Sequence, residues 1–413
     1  MVATSGLRSS RPRILVVVLA GGAGGRLELL TENRAKPAVP YAGKYRLIDF
    51  ALSNAHNSGV EDVWVTQQFH PASLADHLAN GRPWDLDRTV GGLQVLSPHL
   101  GSDRAGWHHG TADALWRQVP LIRDYQPDAL VVVSADAVYR LDYGDVVTRH
   151  RESGASVTMV TTEVPADDAG RYGVFEVDDA GGITRYEYEP DSPASDLVST
   201  EVFAFEPAAV LDALHDLADE AGDDPLDDLG DELLPRLVDG GKAAEYRLES
   251  YWRDVGTVPA YLAAHLELFD DPPALGLDDP RWPIRTQESL RSAARCLPGA
   301  ELENALLSPG CTVAGRVERS VLGPGVVVEA GASIREAVVF HDVIVRAGAS
   351  IERAIVDANT EVGADARLGF GEPEREQPDD IVLVGEGARL PAEIRLGPGT
   401  RYPANGEGED TRA

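Results

Sequence analysis

The chain has 413 residues, 43% of them hydrophobic, enough for a sizeable core and for about two or three domains. Its 37 basic against 68 acidic residues leave a formal net charge of -31, which argues against nucleic acid or an anionic membrane as a partner and describes an acidic, cytoplasmic protein with a solvated surface. Two cysteines, Cys296 and Cys311, are too few and too far from histidine pairs for a zinc site or a disulfide framework, and both read as structural.

Residues 1–13 read as a disordered lead-in. The apolar run "ILVVVLA" (14–20) is too short to span a bilayer and follows a basic, Pro-containing start without a cleavage site, so it is neither a membrane helix nor a signal peptide. It is the first of a series of β-branched runs, with "DVWVTQ" (62–67), "ALVVVSAD" (129–136) and "SVTMVTTEV" (156–164), interleaved with amphipathic stretches such as a predicted helix over 111–125. Strands apolar on both faces, separated by helical periods, predict a mostly parallel sheet covered by helices, an α/β domain over 14–269. Sites in such sheets form where strands end in loops. The segment "DDPPALGLDDPRWPIRT" has no periodicity, and 270–290 reads as a linker.

Beyond it the chain repeats. "VLGPGVVVEAGASIREA" (321–337), "VVFHDVIVRAGASIERA" (338–354) and "IVDANTEVGADARLG" (355–369) align at a 17-residue period, with apolar residues about six apart: Leu322, Val328, Ile334; Val339, Val345, Ile351; Val356, Val362, Leu368. Three short strands per row with Gly, Asp and Asn at the corners predict a parallel β-helix over 291–413, with an irregular tail and a shorter first row, "LLSPGCTVAGRVER" (306–319). Such solenoids also occur in acyltransferases, where a histidine can act as base. A lone corner histidine, His341, reads instead as a turn residue. An open β-helix face packs readily on another copy, which predicts assembly.

The loop "GGAGGRL" (21–27) follows the first strand, and its glycines let backbone N–H groups approach a phosphate closely. It matches neither a dinucleotide G-x-G-x-x-G, which would need glycine in place of Leu27, nor a phosphate loop ending in Lys-Ser or Lys-Thr. Arg26 follows the glycines, and ten residues later comes Lys36 in "RAKPAV". The chain has three lysines, Lys36, Lys44 and Lys242, and two fall in this stretch, which suggests that a compact ammonium is wanted there.

With "GTADALWRQ" (110–118), "VVVSADAVYRLDY" (131–143), "RYGVFEVD" (171–178), "YWRDVGTVPAYLAAHLEL" (251–268) and "RWPIRT" (281–286), the stretch 19–59 resembles the sugar-1-phosphate nucleotidyltransferases, and among them the glucose-1-phosphate adenylyltransferases, in order and over nearly the whole chain. The resemblance implies a Rossmann-like catalytic domain followed by a left-handed parallel β-helix. It implies ATP and glucose 1-phosphate as substrates, with ADP-glucose and pyrophosphate as products and Mg2+ as cofactor. Arg26, Lys36 and Asp136 would be catalytic, with Asp136 and Asp254 as metal ligands. Leu19, Ala20, Gly21, Gly22, Gly24, Gln67, Gly110, Thr111 and Ala112 would lie along the nucleotide, with the pair Gln67 and Gln68 along the nucleotide and sugar cleft. Tyr172, Gly173, Tyr188, Glu189, Glu201 and Asp254 would face the sugar phosphate, Lys44 a sugar-phosphate effector, and the assembly would be a homotetramer.

Three residues depart from the family pattern. Ala137 replaces a histidine after Asp136, Glu201 stands where glycine is frequent, and Glu189, in "YEP" (188–190), occupies the position of a lysine that holds the sugar phosphate. At about 4 Å and an effective dielectric near 20, one unit charge is worth about 4 kcal/mol, so this reversal matters; Arg185 is a nearby candidate to replace the lysine. Three readings stay open: the adenylyltransferase, a related enzyme with another nucleotide or sugar 1-phosphate, or a catalytically impaired regulatory subunit paired with an active paralogue.

Overall fold

Side chains of the first strand divide by parity. In β1 (Ile14–Ala20), Val16 and Val18 enter one core while Leu15 and Val17 enter another. A strand buried on both faces must be central, and each such side chain contributes roughly 1.5–3 kcal/mol of burial. The computed structural model, which describes residues 12–22, 24–98, 106–371 and 379–403, bears this out. The predicted lead-in and tail fall largely outside these residues.

On one side of β1 lie β2 (Asp62–Gln67) and β3 (Gly92–Leu96), on the other β4 (Ala129–Ser134), and all four are parallel. The short β5 (Ala137–Tyr139) follows. Then come β6 (Val157–Glu163), the hairpin β7 (Gly173–Val177) with β8 (Ile183–Tyr188), the long β9 (Leu197–Phe205), β10 (Ala243–Arg247) and β11 (Trp252–Asp254). The main sheet runs β8-β7-β9-β4-β1-β2-β3, with β6 joined to β9 and β10. It is parallel at its heart, and β9 runs antiparallel to β4, β6 and β7. Helix α1 (Ile48–Asn57) packs on one face. The predicted helix at 111–125 is two helices, α2 (Thr111–Trp116) and α3 (Val119–Tyr125), on the other face. Pro120 explains the break, because its ring has no N–H to donate to Trp116 O, whereas a proline is tolerated in the first turn of α3.

The repeat folds as three six-stranded parallel sheets. Leu322, Val339 and Val356 pair in register, as do Val328, Val345 and Val362, and Ile334, Ile351 and Leu368. The β-helix begins at Arg295–Cys296, one coil before the row expected to open it. One side carries doubled apolar pairs. Leu322, Val339, Val356 and Val384 point inward, while their neighbours Val321, Val338, Ile355 and Leu383 point outward into a core shared with Leu27, Tyr41, Phe50 and Tyr261. The segment 270–290 has no helix or strand, yet Leu275 and Ile284 are buried in this shared core and the Trp282 indole donates to Asn54 Oδ1 at 2.9 Å. It is a packed strap rather than a solvated tether.

Ion pairs join the glycine-loop region to the β-helix. Arg34 makes bidentate bonds of 2.7 and 2.9 Å to Asp357, and Arg401 makes bonds of 2.6 and 2.8 Å to Glu28. His265 lies wholly inside the shared region, where Ala42 N–H donates to Nε2 at 3.0 Å and Nδ1–H donates to Tyr261 O at 2.8 Å. Burial pushes its pKa from 6.5 down to about 4. The unfolded chain therefore takes up the proton first, so this histidine's contribution is complete above about pH 6.5 and is lost as pH falls toward 4. The full effect is roughly 3 kcal/mol, of which about 2 kcal/mol is gone at pH 5. Urea midpoints at pH 7 and pH 5 should differ more for the native chain than for His265→Gln; equal differences would contradict the assignment.

Candidate active site

Leu19 pairs with Ser134 where β1 and β4 end, and strand order reverses there because the chain leaves β1 for β2 on the opposite side. Such a reversal opens a crevice. The glycine loop leaves β1 into it. Gly24 has φ of 70°, and a Cβ there would lie 2.9 Å from both Lys36 Cβ and Thr31 Cγ2, so only glycine lets the loop close on the turn that begins at Lys36. Asp136 lies two residues beyond β4. Asp254, far off in sequence, comes beside it because β11 pairs with β5 in a register that sets Asp254 opposite Ala137.

Lys36 links these parts. Its side chain is 9% exposed and its Nζ lies 2.8 Å from Asp136 Oδ2. Burial would push the ammonium down, but Asp136, Asp254 and Glu201 more than reverse this and hold it above the ordinary value. Burial likewise opposes ionisation of Asp136, yet Lys36, the Ser134 hydroxyl and Arg26 keep its carboxyl below the usual range. Asp254 is raised by burial and by the Asp136 charge, partly offset by Lys36 and Arg171. Glu201 is pushed up to about 8 by burial and by the charges of Asp136 and Asp254. Asp136 and Asp254 thus set carboxylate oxygens beside one buried ammonium, with Glu201 largely protonated near neutral pH, and hard oxygen ligands of this kind suit a divalent cation shared with phosphates.

A cavity of about 490 Å³ opens over this cluster. Of the residues expected at the site, Leu19, Gly21, Gly22, Lys36, Gly110, Thr111, Asp136, Tyr172, Gly173, Tyr188, Glu189 and Glu201 line it. Ala20 and Ala112 are buried in the flanking cores instead, and Gly24 serves the turn. Of the glutamine pair, Gln68 lines the cavity, while the Gln67 amide donates to Ser97 Oγ at 2.9 Å. Arg26 is exposed and outside the lining, though its charge reaches Asp136 and Asp254. Asp254 is buried just behind, its Oδ1 accepting from Gly256 N–H at 2.9 Å.

The expected set omitted Tyr186, Asp228, Leu229 and Gly230, all of which line the cavity. Tyr186 belongs to β8; the segment 227–230 has no periodicity, but "GTADA" is built to receive it. Thr111 Oγ1 donates to Asp228 Oδ1 at 2.9 Å and accepts from Leu229 N–H at 2.8 Å, and a Cβ on Gly110 would stand 2.2 Å from Asp227 O. Thr111 thus secures a neighbouring loop.

Comparison with known proteins bears on this geometry. The nucleotidyl transferase family model matches residues 15–271, and the GlmU-like C-terminal hexapeptide model matches 296–380. The chain is 41% identical to glucose-1-phosphate adenylyltransferase of Thermomicrobium roseum, over 93% of this chain and 91% of that protein. It is 35% identical to the enzyme of that name from Acetivibrio thermocellus, over 94% and 92% of the two chains, and 36% identical to that of Bacillus thuringiensis, over 92% and 100%. The chain belongs to the glucose-1-phosphate adenylyltransferase family.

Within that family frame, each departure has a definite setting. Ala137 is buried against the core at the Asp254 register position. Glu201 has φ of 58° and sits where the pairing of β9 with β6 slips, a backbone state that glycine adopts more readily. Glu189 is exposed at the cavity wall, with φ of 42° and its N–H donating to Tyr172 O at 3.0 Å. Arg185 does not take the place of the missing lysine. It lies outside the lining and is bound to Glu176 and Glu187.

A second cavity, of about 780 Å³, lies between the domains, lined in part by Lys44, Arg46, Arg291 and His341. Lys44 is exposed, its ammonium 5.0 Å from the Tyr45 ring centre. His341 faces Asp342 at 3.3 Å, and Arg291 holds the same carboxylate at 2.8 and 2.7 Å. Cys311 is buried and Cys296 exposed, both as free thiols.

Proposed function

We propose that the protein joins ATP and glucose 1-phosphate into ADP-glucose with release of pyrophosphate, supplying the activated glucose of an α-glucan such as glycogen. In this reaction a phosphate oxygen of the sugar attacks the α-phosphorus of ATP. The bond from that phosphorus to the bridging oxygen breaks, and pyrophosphate leaves. Little covalent work falls to the protein; charge neutralisation and in-line positioning carry the rate. The observation that supports this most is the Lys36–Asp136 pair, buried beside Asp254 at the foot of the cavity.

On this reading Lys36 and Arg26 hold the triphosphate, and the glycine loop offers its N–H groups. Leu19, Gly21, Gly22, Gln68, Gly110 and Thr111 border the nucleotide, and Tyr172, Gly173, Tyr188, Glu189 and Glu201 border the sugar. Asp136 and Asp254 would hold Mg2+ together with phosphate oxygens and water. Among the described residues no group of three or more His, Cys, Asp or Glu forms a cage, and Mg2+ bound chiefly through phosphates needs none. Such a cation would lower the repulsion between the attacking and departing phosphates.

Lys44, with Arg46 and Arg291, makes the second cavity the place for a sugar-phosphate effector. The β-helix is the surface on which a homotetramer would assemble, and the cytoplasm is the compartment this acidic chain suits. No helix among the described residues is long and apolar enough to cross a membrane.

Pyrophosphate release tests the activity, with Mg2+, glucose 1-phosphate and ATP, UTP, GTP, CTP or dTTP in turn. ATP-dependent turnover, abolished by Asp136→Ala, is the expected result. Turnover with a different nucleotide would reassign the donor. The Glu189 carboxylate at the cavity wall favours a second reading, a regulatory subunit paired with an active paralogue. Silence with every nucleotide, followed by activity on Glu189→Lys, would establish that reading instead.

A further inference from the structure

We propose, on the reading that the cavity takes glucose 1-phosphate, that Arg171 binds the phosphate of the sugar. Among the described residues lining the cavity, the lysine and arginine side chains are Lys36 and Arg171. Lys36 is buried and held at 2.8 Å by Asp136, so its ammonium is already directed toward the metal carboxylates. Arg171 differs. Its side chain is 37% exposed, and its two ion-pair distances, 3.4 Å to Asp254 and 3.8 Å to Asp168, exceed the 2.7–2.9 Å of a well-made charge-assisted bond. A guanidinium with five donors, spent on two long contacts, keeps a fork free for an anion.

Its position in the fold adds the second argument. Arg171 ends the turn before β7, and Tyr188 of β8 pairs with Gly173. Tyr172 O accepts the Glu189 N–H at 3.0 Å, and a Cβ on Gly170 would stand 2.8 Å from Pro190 O. Residues 170–172 and 189–190 therefore form one wall at the open end of the hairpin, with the cation just before β7 and the carboxylate just after β8. A phosphate brought to this wall meets Arg171, and Glu189, exposed at the cavity, faces the hydroxyl-bearing part of the sugar, to which a carboxylate can only accept hydrogen bonds.

The test is kinetic and uses the full chain. Arg171→Gln should raise KM for glucose 1-phosphate on the order of 10- to 100-fold and leave KM for ATP within about twofold. Arg171→Lys should recover part of that loss, and Glu189→Lys in the Arg171→Gln background should recover most of it. An increase in the Mg2+ half-saturation of Arg171→Gln with unchanged KM for glucose 1-phosphate would overturn the proposal and assign Arg171 to Asp254 alone. So would unchanged kinetics, or no recovery from Glu189→Lys. If the native chain releases no pyrophosphate, the activity fails but this inference is still tested. Calorimetric titration of glucose 1-phosphate, with Mg2+ and α,β-methylene-ATP present, should then show binding by the native chain and a 10- to 100-fold weaker one by Arg171→Gln. Equal affinity, or no binding by either, overturns it.

Discussion

Asp136→Asn is expected to lower kcat on the order of 1,000-fold while leaving the fold intact. The substitution keeps shape and removes one charge. At about 4 Å and an effective dielectric near 20, that charge is worth about 4 kcal/mol to a cation, which is three decades in rate if the loss is felt at the transition state. The charge acts on two partners: Lys36, bonded to it at 2.8 Å, and the cation proposed to lie between it and Asp254. The variant should also need more Mg2+ for half-maximal rate. Because Asp136 and Asp254 share these partners, Asp136→Asn with Asp254→Asn should lose far less than the product of the single effects. Steady-state kinetics with a Mg2+ series, beside a thermal melt to verify folding, checks all three statements. Retention of more than about a tenth of native kcat would show that the pair is not at the reacting centre.

Asp357→Ala should cost about 3 kcal/mol of stability or more. Asp357 is fully buried and takes both arms of Arg34, whose side chain is 9% exposed. Removing one partner leaves a guanidinium stranded between the domains, and such losses typically run to 3–5 kcal/mol. Glu386, at 3.3 Å from the same guanidinium and partly exposed, softens the loss toward the lower end. Replacing both partners, Arg34→Met with Asp357→Leu, should recover most of the stability, because no charge is then left without a partner. Guanidinium unfolding curves distinguish the outcomes. A loss under about 1 kcal/mol in Asp357→Ala would mean that water or Glu386 already satisfies Arg34. Two separated transitions would mean that this pair, rather than the apolar contact of Val321, Val338 and Ile355, makes the two halves unfold together.

The residues behind these two predictions differ in how visible they were beforehand. Lys36 and Asp136 belong to short segments whose composition announces a strand end and a phosphate-binding loop. Arg34 and Asp357 are 323 residues apart, and no local pattern joins them. The doubled apolar pairs of the β-helix were a usable signal for the shared core, since a coil that needed only an interior would need one apolar residue per strand. Gln67 and Gln68 illustrate the limit at single-residue scale. Successive side chains of a strand point to opposite faces, so choosing between neighbours at a strand end requires the register.

By itself the sequence determined whatever is periodic or local: the doubly buried strands around β1, the 17-residue coil that stacks Leu322 on Val339 and Val356, and the glycine loop with its cations. These follow from alternation and repeat, which each segment carries within a few residues. Tertiary structure alone decided which distant side chains meet. It brought Asp254 beside Asp136 through the β5–β11 ladder, placed Asp228 under Thr111, set Arg171 across the hairpin from Glu189, and packed the 270–290 strap into the interface. Such meetings depend on chain topology and on burial summed over many residues, so their physical cause lies in the whole fold and not in any one stretch of it.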